Sequence, residues 1–425
     1  MLISADMPGS DGGLRISARG LAAAVVAAAI ALSSIVFSEP AIADAMMIAV
    51  MVTVPVLGVA RFGRTAVINL VIWAALVAFG LAAAGVSVTV DTAIKHQLVT
   101  LFLAGGAFVL AGYIAADPVP RITLVFWCYV IACLIATVAA LAGYFGIVPS
   151  AYDLFTNYGR ARGTFKDPNV YGAALGPAIT FAAWIMLREP VKRAYVAGFI
   201  ALPLIIGLLV CFSRGAWIST ALSLAILAVL TTLTSRRKTD LSRLTVVGAA
   251  SIGVVVVALF AILQVEQVRS LLTERASMDQ SYDVGPEGRF GGQQKARNLI
   301  LENPFGIGTH TFRDKYHHEE PHNVYLSQFL NAGWIGGMLY ALSVIVTVVI
   351  GIRGAMRNGA LQGGFMVAGA AFAGVAFEGF VIDSDHWRHF FILMGCVWGL
   401  ADAQEPDIDP SRRRDDPPAE GAAEA

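Results

Sequence analysis

The chain has 425 residues, of which 57% are hydrophobic and only 14% charged, and its 30 Lys and Arg balance 30 Asp and Glu; the mean hydropathy is +0.68. A water-facing surface needs about 25% charged residues, so a soluble enzyme and a disordered chain are both excluded, and the lack of a basic footprint excludes a nucleic-acid binder. The composition is that of a polytopic membrane protein, and its long unbroken apolar runs make it all-α.

A helix crosses the hydrocarbon layer in about 20 apolar residues, and about twelve such runs follow one another. They lie near 20–37, 43–60, 65–86, 97–116, 122–146, 169–187, 194–211, 217–234, 244–264, 324–351, 360–382 and 388–402. Residues 1–19 then form an N-terminal segment, 20–264 spans one to nine, 265–323 one large loop, 324–402 spans ten to twelve, and 403–425 a charged, proline-containing tail expected to be disordered. Residues 20–37 followed by Pro40-Ala41-Ile42-Ala43 have the outline of a signal peptide, but the apolar stretch is long for one, and an uncleaved first span is expected. No internal repeat is visible, and the four cysteines (Cys128, Cys133, Cys211, Cys396) sit in apolar runs as small hydrophobes.

Lys and Arg fix the orientation. One set of loops holds Arg61, Arg64, Arg121, Arg188, Arg236, Arg237, Lys238, Arg353 and Arg357, whereas the alternate set holds only Lys95, Arg160, Arg162, Lys166, Arg214 and Arg388. Both ends of the chain are therefore expected in the cytoplasm, with the long loop outside. Every histidine (His96, His310, His317, His318, His322, His386, His389) falls on or beside that external face.

Three segments could carry chemistry there. Ser213-Arg214-Gly215-Ala216-Trp217 joins two apolar runs through a connection of almost no length, so its guanidinium is held at the interface, either on an anion or snorkelling to headgroups beside Trp217. Arg160, Arg162 and Lys166 cluster before Asp167-Pro168-Asn169. They could grip a phosphate, or simply belong to a solvated turn in which Pro168 opens the next helix. The long loop holds Glu287-Gly288-Arg289, an amphipathic stretch from Gln293 to Leu301, Asn303-Pro304-Phe305-Gly306-Ile307-Gly308, and then His310 to Asn323. His322 sits where this loop re-enters the membrane, and imidazole is the side chain suited to take a proton near neutral pH. A metal is the rival use of four histidines and two glutamates, but no known ligand spacing is matched, and Pro321 disfavours one helix through His318 and His322.

Arg162-Gly163-Thr164-Phe165-x-x-Pro168-Asn169, Ser213-Arg214-Gly215-Ala216-Trp217, and Asn303-Pro304-x-Gly306-x-Gly308 with His322-Asn323-x-Tyr325-Leu326 and Gly333-x-x-Gly336 together resemble the bacterial O-antigen ligase and polysaccharide polymerase superfamily. The likeness covers roughly residues 150–345. It implies a C-type glycosyltransferase (GT-C) fold in the bacterial inner membrane and one periplasmic loop. It also implies transfer of an undecaprenyl-diphosphate-linked glycan donor to a hydroxyl of a glycan or lipid A-core acceptor, for lipopolysaccharide or exopolysaccharide assembly. Carried over by position, Arg214 and Arg289 hold the diphosphate, His322 activates the acceptor and Arg162 is a further contact, and no metal or cofactor is used; Arg160 and Lys166 of the same cation cluster, and Asn323 beside His322, are expected to contact substrate as well. The chemistry suits these residues: guanidinium forks fit phosphate oxygens, and a hydroxyl is a poor nucleophile that needs a base.

A protein O-oligosaccharyltransferase would use the same residues. A glycan transporter or flippase would place ionisable groups near the middle of its spans, whereas Asp44, Asp91, Glu378, Asp383 and Asp385 lie near external span ends. A reporter fused near Ser281 is expected to be active in the periplasm and one near Lys238 to be inactive there; the opposite result would reverse the orientation.

Overall fold

The computed structural model describes residues 17–235, 238–266, 268–270, 285 and 287–404. The expected tail and most of the N-terminal segment lie outside the described residues, as does Ser281. The helices are α1 (Ala18–Ala31), α2 (Ile42–Val56), α3 (Arg64–Ala84), α4 (Val90–Ala116), α5 (Pro118–Tyr144), the single turn α6 (Tyr152–Phe155), α7 (Pro168–Arg188), α8 (Val191–Val210), α9 (Arg214–Thr234), α10 (Lys238–Ile262), α11 (Arg289–Glu302), α12 (Val324–Met356), α13 (Gln362–Glu378) and α14 (Arg388–Gln404). Strands β1 (Thr156–Asn157) and β2 (Arg160–Ala161) form one antiparallel hairpin.

Each expected apolar run is met by a helix. Among the described residues, eight are long and apolar enough to cross a membrane: α3, α4, α5, α7, α8, α9, α10 and α12. The other four are shorter, at 14 residues for α1, 15 for α2, and 17 each for α13 and α14. Several boundaries differ from expectation, two of them near the expected external face. The first helix ends at Ala31, and α4 begins at Val90, so His96 lies in its second turn. The polar Asp91, Lys95 and His96 depress the local hydropathy without interrupting the helix.

Large apolar side chains face outward, Phe199 at 80% and Phe260 at 70% exposure, as lipid contact requires. Between helices, glycines allow close approach: a Cβ on Gly395 or Gly399 of α14 would lie 2.8 or 2.6 Å from a carbonyl of Ala107 or Ala111 on α4. At the end of the bundle away from the loop, Asp402 accepts from the N–H groups of Gly63 and Ala66 at 2.9 and 3.1 Å, joining the last helix to the start of α3.

The glycines of the long loop have a structural explanation. Helix α12 breaks at Gly333 (φ 70°, ψ −173°), which frees the carbonyl of Leu330. That oxygen accepts from Ile307 and Gly308 at 2.8 and 3.2 Å, while Trp334 N–H donates to the Pro304 carbonyl at 2.9 Å. The approach is backbone on backbone: a Cβ on Gly306 would lie 2.7 Å from Gly333 N, and one on Gly333 would lie 2.6 Å from Pro304 O. Ser87 and Gln97 hold the next residues, the Ser87 hydroxyl donating to the Thr309 carbonyl at 3.0 Å and the Gln97 amide to the Thr309 hydroxyl at 3.3 Å. The loop is thus fastened to both α12 and the α3–α4 turn.

Gly333→Ala combines a left-handed backbone with a steric clash and is expected to destabilise by about 1–3 kcal/mol. It should lower the Tm of the detergent-solubilised protein and expose the loop near Pro304 to protease. Gly248→Ala, with no atom within 4 Å of the added methyl, is the control; equal behaviour of the two variants would refute the docking role.

Candidate functional site

His322 occupies the left-handed region (φ 49°), unusual for a residue with a side chain, and its contacts account for that conformation. Its backbone N–H donates to Asp383 Oδ2 at 3.0 Å, and its ring Nε2 lies 3.1 Å from Glu319 Oε2. Nδ1 lies 3.9 Å from Asp383 Oδ2, so the imidazole stands between two carboxylates. The Gln293 amide of α11 reaches the His322 carbonyl at 3.4 Å. On the far side, the Ser327 hydroxyl donates to Asp383 Oδ1 at 2.5 Å. Burial pushes the Asp383 carboxyl up to about 6, with the neighbouring Asp385 adding to burial, while the Ser327 bond and His322 oppose the rise.

Asp383 belongs to the 379–387 connection between α13 and α14; Arg289 donates to the same connection, and the start of α9, which Arg214 opens, packs beside it. Arg289, the first residue of α11, donates from its guanidinium to the Val381 carbonyl. Arg214 is the first residue of α9, which Ser213 caps by accepting from Ala216 N–H at 3.3 Å. The next residue, Gly215, is so close to this connection that a Cβ there would lie 3.1 Å from Glu378 Oε1 and 3.3 Å from Val381. The three expected catalytic positions, far apart in the chain, are thus gathered around residues 378–383.

The expected substrate-binding cations are not gathered together. Arg160 is buried, donating to the Cys211 carbonyl at 2.8 Å and to Asn169 Oδ1 at 2.7 Å, which ties β2 to the ends of α8 and α7. Arg162 donates to the carbonyls of Leu154 and Lys166 within its own loop. Lys166 turns elsewhere, 3.5 Å from Glu39. Asn323 is the N-cap of α12, its Oδ1 accepting from Tyr325 and Leu326 N–H at 3.1 and 3.2 Å, the work of an N-cap asparagine. Pro168 opens α7 as expected, with the Asp167 carboxylate capping Asn169 N–H at 2.7 Å.

Sequence spacing did not reveal a second polar cluster. His96 Nε2 lies 2.9 Å from Asp385 Oδ2, the His96 and His386 rings are 4.1 Å apart, and His386 Nε2 lies 2.9 Å from the Thr100 hydroxyl. Gln328 also donates to Asp385 at 3.4 Å. Burial pushes His386 down to about 3, aided by His96. Burial would raise the Asp385 carboxyl, but His386 and His96 beside it outweigh burial and hold it below the usual range. His96, Asp385 and His386 are close enough to share one cation, as are Glu287, His317 and His318. In the first set His96 pairs with Asp385 and His386 with Thr100, and the second is open to solvent at Glu287 and His318.

Residues 199–341 match the O-antigen ligase family. The matched stretch runs from α8 into the first half of α12 and includes Arg214, Arg289, His322 and Asn323, supporting over that stretch the resemblance carried by the motifs. It excludes residues 160–169 and the 379–387 connection that holds Asp383. No curated protein matches the chain. At the level of the family, the match gives an O-antigen ligase or polymerase type of role, glycosyltransferase-like and membrane-bound.

Asp383 provides a pH test. Its carboxyl titrates at 3.8 when unperturbed and near 6 here, so between those values the folded state holds a proton that the unfolded state has lost. The stabilisation this gives is complete below about pH 3.8 and is lost as pH rises through 6. Asp383→Asn cannot ionise. Its Tm relative to the native protein should climb between about pH 4 and 6.5 and level off above; a pH-independent difference would mean that Asp383 titrates normally.

Proposed function

We propose that the chain transfers a glycan from undecaprenyl diphosphate to a hydroxyl of an acceptor glycan or of lipid A-core, at the periplasmic face of the bacterial inner membrane. In this reading the fold is of the C-type glycosyltransferase class and all twelve apolar helices are spans, the four short ones accommodated by local thinning of the bilayer and snorkelling of flanking residues. The observation that carries it is the convergence of His322, Arg289 and the start of α9 on residues 378–383, at the end of the bundle that bears the loop.

Each group then has a task. The acceptor oxygen bonds to the anomeric carbon of the donor, the bond from that carbon to the diphosphate oxygen breaks, and the electron pair leaves with the diphosphate. Arg214 and Arg289 hold the charge that develops there, through hydrogen bonds stronger than neutral ones. His322 takes the hydroxyl proton. Glu319 orients the ring through Nε2, Asp383 fixes the backbone beneath it, and both carboxylates stabilise the imidazolium that forms. Asp383 and Glu319 act here as positioning residues.

The test is mutational. His322→Ala should lower transfer by about 10²–10⁴-fold while donor binding survives. Arg214→Ala should lower turnover about tenfold to a hundredfold, and Arg214→Lys should recover only part, since an ammonium cannot fork onto two oxygens. Unchanged surface polysaccharide in either alanine strain, with the protein present in the membrane at its usual level, would overturn the reading.

A further inference from the structure

A cavity of about 220 Å³ lies beside the site, between the end of α1, helices α5 and α7, and the 383–389 segment. We propose that this cavity binds the terminal sugar of the acceptor as a neutral, hydroxylated ring. The proposal rests on the glycan-transfer reading above and adds to it the place and chemistry of the second substrate.

Two buried polar atoms indicate a ligand. Ser34 and His389 both line the cavity and are only 3% and 4% exposed. Ser34 Oγ and His389 Nε2 have no hydrogen-bond partner among the described residues. Buried polar groups are nearly always satisfied, so two orphans in one cavity wall call for a partner. A sugar offers hydroxyls that both donate and accept, and can serve either atom once a small side-chain rotation turns it to the cavity. Trp387, Phe165 and Tyr129 supply apolar faces for the ring, matching the usual make-up of small-molecule sites, aromatic walls with a few polar groups.

Charge selects against the other substrate. Asp383, Asp385 and Glu39 line the cavity. The cations that share it are already engaged: Arg388 forks onto Asp44 with two contacts of 2.8 Å, and Lys166 faces Glu39 at 3.5 Å. A diphosphate would find both cations of this lining already paired and would face the carboxylates of Asp383 and Asp385, whereas Arg289 sits at Val381 of the same connection. The 379–387 connection thus divides a cationic side from a carboxylate side, a separation that would sort two substrates. Asp383 is the joint, since it lines the cavity and also receives the His322 N–H. An acceptor hydroxyl held beyond Asp383 would lie close to the imidazole that takes its proton as the new glycosidic bond forms and the diphosphate departs. None of the lining residues falls within 199–341, so acceptor choice would be set outside the matched stretch.

The experiment uses the full chain in lipid nanodiscs, carrying His322→Ala so that nothing turns over. Binding is measured separately for lipid A-core oligosaccharide, for a single glycan repeat unit, and for undecaprenyl diphosphate. Ser34→Ala should weaken one of the two sugar probes about threefold to tenfold, and Trp387→Ala by about tenfold or more, with undecaprenyl diphosphate binding unchanged. Arg214→Ala should do the reverse. Which sugar probe responds identifies the acceptor source. Sugar binding unaltered by Ser34→Ala and Trp387→Ala, in variants that keep the native Tm, would overturn the proposal, as would an equal loss of undecaprenyl diphosphate binding. If the binding pattern holds but the native chain transfers no glycan, the subsite stands and the transfer reading fails.

Discussion

In lipid, no water is available to satisfy a backbone group that leaves its helix, and this constraint organises the loop end of the molecule. Breaking α12 at Gly333 leaves the Leu330 carbonyl without its helical donor, and the loop supplies Ile307 and Gly308 instead. The break and the loop therefore need each other. Because Pro304 closes the same contact from the other side, the loop cannot slide along α12 without stranding a polar group on each chain segment. Helix α11 precedes this fastening and residues 317–323 follow it, so Arg289 and His322 are both positioned from one fixed point.

From that point, Asp383 takes over. A left-handed histidine costs conformational energy, and the carboxylate repays it by accepting the His322 N–H directly. The same carboxylate is raised by burial to about 6, a rise that the Ser327 bond and the nearby His322 oppose.

Much of the fold was legible because hydropathy alone marks membrane helices, and every apolar run became one. The length of each was less legible: α13 and α14 stop at 17 residues, since hydropathy does not register the packing that ends a helix. Among the residues proposed for the site, Arg214 and His322 stood out in sequence by their motifs and Arg289 by its place in the long loop, while their gathering around residues 378–383 did not. Nor did Asp383, because it lies 61 residues from His322, outside any motif, and reads in sequence as one more acid near a span end. Arg160 illustrates the opposite error. As a residue type it suggested an anion site, but its guanidinium reaches across 51 residues to the Cys211 carbonyl, a structural use that no local pattern reveals. The glycines of Asn303-Pro304-x-Gly306-x-Gly308 were read as part of a functional signature, and their role is to let one backbone lie against another.

The polar groups deeper in the bundle bear on the choice between transfer and transport. Trp398 donates to the Thr347 hydroxyl at 2.7 Å, Thr347 donates to the Ser343 carbonyl, and the Ser343 hydroxyl donates to Asn69 at 3.1 Å. These groups are uncharged and satisfy one another, which suits helix–helix adhesion in lipid. A translocation path needs ionisable groups or open carbonyls that a substrate can engage and then release. Among the described residues, Glu378, Asp383, Asp385, His386 and His389 are instead gathered around residues 378–389, with His322 of the loop beside them. An arrangement of that kind can hold two substrates against each other at one membrane face, which is what a group transfer between lipid-borne partners requires.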